Sequence, residues 1–101
     1  MNERIISAAI QLVPIAERSQ GFPLIDAAIE RIAQSGLTYK VTAFETHIEG
    51  PFERIQQLIA NLHDLHAQSA VHEVLLYVKY HMHNYENQHL SDKTKPFENP
   101  E

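Results

Sequence analysis

The stretch "TAFETHIEGPFERI", Thr42 to Ile55, decides how this chain folds. Its first part alternates in the two-residue rhythm of a β-strand, so Glu45, His47 and Glu49 fall on one face of a sheet. Gly50-Pro51 then breaks the ladder, and Ile55 opens a pattern of helical spacing. Three titratable side chains on one strand face are either a solvated surface or a site. Glu49, just before Gly50-Pro51, has a third reading as a cap for the helix that follows.

Working outward, the residues before Thr42 supply a strand, "LTYKVTA" (Leu37 to Ala43), and "FETHIEG" (Phe44 to Gly50) pairs back on it as a hairpin. Upstream, Pro23 suits the first position of a helix. Leu24, Ile25, Ala28, Ile29, Ile32 and Ala33 form its apolar stripe, and Gly36 closes it in the left-handed conformation. "AERSQG" before it reads as a loop. The first strand, Arg4 to Ile15, is nearly continuous in apolar character, as central strands are, and Pro14 ends its ladder. Its Ile6, Ala8, Ile10 and Leu12 share one face, and Ile5, Ser7, Ala9, Gln11 and Val13 the other.

Downstream, Pro51 opens a second helix with Glu53 in its first turn, where the helix dipole favours an anion. Ile55, Leu58, Ile59, Leu62 and Leu65 face the core. "SAVHEVLLYVKYHMHN" holds the last strand, with Val74, Leu76, Val78 and Tyr80 opposite Leu75, Tyr77, Lys79 and His81. The order βαββαβ predicts an α+β, ferredoxin-like sandwich: a four-stranded antiparallel sheet with both helices on one face. Residues 1–84 make this domain, and residues 85–101 ("YENQHLSDKTKPFENPE") read as a polar tail without periodicity.

Composition narrows the function. The 101 residues suffice for one domain with a modest core. Net charge is -5, with eight scattered Lys+Arg, which opposes binding to nucleic acid. There is no cysteine, so disulfides and thiol chemistry are excluded. No apolar run approaches the roughly 20 residues of a membrane helix, and no signal-peptide order is present, so a cytoplasmic protein is expected. His63, Asp64 and His66, like His81 and His83, lack an evident third ligand, so no metal site is expected. No nucleophile-base pattern marks an enzyme. The sheet face away from the helices carries Ile5, Val13, Leu75 and Tyr77, which predicts self-association into a dimer or tetramer.

"AIQLVPI", "AIERIAQSGLTYKV" and above all "ETHIEG" before a helix resemble the small thiamine-binding proteins of the YkoF-like superfamily over residues 4–83. The most specific matches are Ser35-Gly36-Leu37 with Tyr39 and Val41, and Thr46, Ile48, Glu49 and Gly50. Departures lie at Thr42-Ala43, where many members carry Gly-Pro, and at Ala9, where an acidic residue is usual. The resemblance implies a ferredoxin-like domain that binds thiamine or its hydroxymethylpyrimidine part without catalysis and without a cofactor. An aminopyrimidine presents an amino donor beside a ring nitrogen acceptor, which carboxylates, amides and hydroxyls match. Ser7, Gln11, Glu45, Thr46 and Glu49 supply such groups, and Tyr39 and Phe44 supply rings for stacking. The alternatives are a satisfied core amide at Gln11, β-propensity alone at Thr46, and core or interface aromatics at Tyr39 and Phe44. A different class of function is also open: an interaction module that uses its bare sheet face and binds no small ligand.

Overall fold

The computed structural model describes residues 4–83. The tail expected after residue 84 lies outside the described residues. The elements run β1 (Ile5–Pro14), α1 (Arg18–Gln34), β2 (Thr38–Val41), β3 (Thr46–Pro51), α2 (Phe52–Ala67) and β4 (Val74–His81). The strands form one antiparallel sheet in the order β2-β3-β1-β4, so α1 carries the chain past the position that β3 fills and α2 carries it over β1. This is the ferredoxin-like arrangement.

Side-chain alternation on β1 puts Ile6, Ala8 and Ile10 under the helices, where they are buried. Their β3 partners on that face are Gly50, Ile48 and Thr46. Ile55, Leu58 and Leu62 of α2, with Ala28 and Ile32 of α1, close the core from above. Gly50 is required for space: a Cβ there would overlap Leu37 Cδ2, itself a buried core atom. Gly36 is required for conformation, with φ 81 after the last turn of α1. Its backbone turn is held as Ser35 Oγ donates to Ile32 O and Arg54 Nη2 donates to Ser35 O at 2.8 Å.

Several boundaries differ from the sequence expectation. α1 starts at Arg18, not Pro23, and "RSQG" belongs to the helix rather than to a loop. The N–H groups of Gln20 and Gly21 both bond to Glu17 O, which starts the helix without a side-chain cap. Gly21 is buried against Pro14, where an added Cβ would lie a tight 3.3 Å from Pro14 Cβ. Pro23 is the sixth residue of the helix, so it forgoes an intrahelical hydrogen bond rather than filling the first position. Pro51 ends β3 and is the N-cap of α2, and its own side chain makes no capping hydrogen bond. β2, β3 and β4 are each shorter than the apolar runs that contain them. No helix among the described residues is long and apolar enough to cross a membrane.

Candidate functional site

The sheet face opposite the helices is bare, and its register builds rows of side chains across all four strands. One row reads Thr38, Glu49, Ser7, His81 from β2 to β4. The next reads Lys40, His47, Ala9, Lys79. Beyond these, Gln11 lies opposite Tyr77, and Val13 opposite Leu75. The face thus divides into a polar half near the end of β4 and an apolar half near its start.

Small residues on the central strand make the polar half hollow. Ser7 and Ala9 form the floor of a depression of about 210 Å³, walled by Glu45, His47, Lys79 and His81. Glu45 is placed by the hairpin that precedes β3. There the Thr42 hydroxyl donates to Glu45 O and accepts the N–H groups of Phe44 and Glu45 at 3.4 and 3.2 Å. This serine/threonine turn fixes the backbone from which the carboxylate projects. Lys79 Nζ lies 3.1 Å from Glu45 Oε1, and His47 Nε2 lies 3.4 Å from Oε2. The hydrogen bond from Lys79 holds the Glu45 carboxyl below its ordinary pKa; partial burial opposes the shift, and the charges of Lys79 and His47 add to it.

The three alternating residues of the opening stretch therefore occupy three environments. Glu45 is half-buried and ion-paired, His47 leans on it, and Glu49 is 7% exposed between Ser7 and Thr38. A merely solvated strand face would leave all three open to water. Ser7 is 4% exposed, and its hydroxyl is buried without a hydrogen-bond partner among the described residues. Such an orphan donor costs stability unless something completes it.

A second cleft of about 240 Å³ opens at the hairpin end, between α1 and the sheet. There β1 runs on past Ile10, its last residue paired with β3, and residues 11–14 pair only with β4. Gln11, Phe44, Glu45 and Thr46 border this cleft together with Ile25, Ile29 and Val41. Glu45 thus stands between the two hollows. Of the residues singled out from sequence, Ser7, Glu45 and Glu49 come together on the polar half of the bare face. Thr46 points to the helix side and is buried, Gln11 is exposed on the bare face, and Phe44 is 81% exposed in the turn. Tyr39 lies opposite Ile48 on the helix side of edge strand β2 and borders neither hollow. Lys79, His47 and His81 were not among the expected ligand-binding residues. Their alternation was legible, but only the pairing of Ala9 with both His47 and Lys79 brings them to one hollow. Among the described residues no group of three or more His, Asp or Glu could hold a metal ion.

The family model described as thiamine-binding protein matches residues 8–98. The chain belongs to the thiamine-binding protein family. Solved structures of similar fold include a domain of unknown function from Bacillus cereus, at TM-score 0.84 and 23% identity over 95% of this chain and 92% of that one. A Thermotoga maritima protein provisionally assigned to thiamine biosynthesis or salvage superposes at TM-score 0.75 and 25% identity, covering 93% of this chain and 99% of its own. A hypothetical protein from Methanocaldococcus jannaschii gives TM-score 0.80 at 19% identity, over 93% of this chain and 96% of its own. No functionally curated relative matches the chain.

Proposed function

We propose that the polar half of the bare sheet face binds thiamine or its hydroxymethylpyrimidine part, without transforming it. Family membership supports the ligand class, and one observation carries the location: the buried, unpartnered Ser7 hydroxyl under a hollow bordered by the Glu45 carboxylate. A hydroxyl and a carboxylate together match the amino group and ring nitrogen of an aminopyrimidine. At about 210 Å³ the hollow is smaller than the roughly 300–1,000 Å³ of pockets for drug-sized ligands, so it suits one ring, with the rest of a larger ligand outside. Titration calorimetry of the full chain with thiamine and with hydroxymethylpyrimidine tests this. One saturable site per chain is expected, and absence of heat with both compounds overturns it.

Ser7→Ala gives a second check. Removing an unsatisfied buried hydroxyl should raise unfolding free energy by about 1 kcal/mol while weakening pyrimidine binding. Urea denaturation measures the first quantity, and a loss of stability instead would mean that the hydroxyl is already satisfied in the folded protein.

A second reading, self-association, is favoured by the apolar half of the same face. Leu75 and Tyr77 of β4 are 44% and 53% exposed beside Val13. A second copy offers the same apolar strip, which is the requirement for a two-fold interface. Light scattering at tens of micromolar should then give a dimer or tetramer mass, and Tyr77→Glu should shift it towards the monomer. A monomer mass for the unmodified chain removes this reading and leaves ligand binding to stand alone.

A further inference from the structure

The bare face has an uneven charge pattern. Both lysines among the described residues, Lys40 and Lys79, lie in one cross-strand row, with His47 between them and Ala9 at its centre. The row itself is cationic in a chain of net charge -5, although Glu45 beside it and Glu49 in the next row are acidic, and of the two lysines it is Lys79 that borders the hollow. Neighbouring strands stand about 4.8 Å apart, so His47 and Lys79 flank Ala9 with their Cα atoms roughly 10 Å apart. That gap is the hollow over Ser7 and Ala9.

Glu45 is the acidic wall of the hollow, and its charge is already engaged. Lys79 lies within 3.1 and 3.4 Å of its two oxygens, and His47 is 3.4 Å away. A cationic ring entering here would have to share this carboxylate with the ammonium group already paired with it. An anionic group meets the opposite situation. Lys79 has three N–H donors and a side chain 71% exposed, so it reaches an added anion while keeping Glu45. His47 and His81 present imidazoles to the same space, and these add charge-assisted bonds when protonated.

We infer that this site discriminates by charge: it takes an aminopyrimidine bearing a phosphate ester on its hydroxymethyl group in preference to one bearing the thiazolium cation of thiamine. The inference rests on the reading of the hollow as a pyrimidine site, and it makes Lys79 the residue that sets the preference.

Calorimetry on the full chain tests it with four probes: hydroxymethylpyrimidine, its monophosphate ester, thiamine and inorganic phosphate. The ester should bind roughly ten- to a hundredfold tighter than the free alcohol, the gain from a charge-assisted contact, and thiamine should bind more weakly than either. Added salt should narrow the gap. Lys79→Met should bring the ester-to-alcohol ratio towards one, whereas Lys79→Arg should keep it. Glu45→Gln, which releases Lys79 from its partner, should raise the ratio even as affinity for the alcohol falls. Equal affinity for ester and alcohol, or a ratio that survives Lys79→Met, overturns the charge selection and leaves pyrimidine binding intact. Inorganic phosphate binding as tightly as the ester would show a bare anion site and overturn it as well. If no pyrimidine binds at all, the proposed function falls and this inference with it.

Discussion

Ile48→Ala is expected to lower the unfolding free energy by about 2–5 kcal/mol, the range for emptying a fully buried aliphatic site. Ile48 is 0% exposed at the middle of β3, opposite Ala8 on central strand β1, and packs in the cluster that holds Ile55, Leu58 and Ile32. Ala8 is too small to fill the space left behind, so the cavity persists rather than collapsing. Against a total stability of ~5–15 kcal/mol for a domain, the loss is a large share. Ile48→Val, which removes one methyl group, should cost only about 0.5–1.5 kcal/mol, and the graded pair separates cavity formation from general disruption. Urea denaturation measures both. A loss below about 1 kcal/mol for Ile48→Ala would show that the sheet and helices do not meet at this residue.

Glu45→Gln should weaken pyrimidine binding roughly ten- to a hundredfold, because it keeps the shape of the side chain and removes the charge of one contact. Calorimetry reads the change directly, and unchanged affinity would take Glu45 out of the site. The fold should barely respond, since an exposed ion pair contributes only ~0–1 kcal/mol. That small contribution has a definite pH dependence. The carboxyl is held below its ordinary pKa in the folded state, chiefly by the hydrogen bond from Lys79. Its stabilisation is therefore present above the unfolded-state value and fades as pH falls through the folded-state value. Any stability difference between Glu45→Gln and the unmodified chain should thus disappear in acid and be present at neutral pH.

The two substitutions also separate what was legible from what was not. Ile48 could be placed in the core from "THIEG" alone, because its neighbours alternate in polarity and the helix that follows repeats its apolar residues at helical spacing. The start of α1 could not be placed this way. "ERSQG" is polar and contains a glycine, and nothing local shows that Gly21 will pack against Pro14 at the end of β1 rather than turn the chain. Gln11 and Phe44 were chosen for their chemistry, and the structure sets them at the hairpin-end cleft, on the other side of Glu45 from Ser7. Tyr39 alternates with Lys40 on a short edge strand, and the pairing with Ile48 turned it to the helix side.

The βαββαβ order, the alternating faces of β1, β3 and β4, the glycine that ends α1 and the family to which the chain belongs were all determined by the sequence itself. These follow from local periodicity, local backbone freedom and local motifs, which act within a few residues. The tertiary structure alone decided which polar residues share a hollow. Ser7, Glu45, His47, Lys79 and His81 come from three strands and the hairpin before β3, and strand register is a long-range property set by how Ile6, Ala8 and Ile10 fit under the helices. A slip of one residue in either pairing would send Lys79 or Glu49 to the opposite face. The ion pair of Glu45 with Lys79 and the orphan hydroxyl of Ser7 exist only because the packing of the other face holds that register in place.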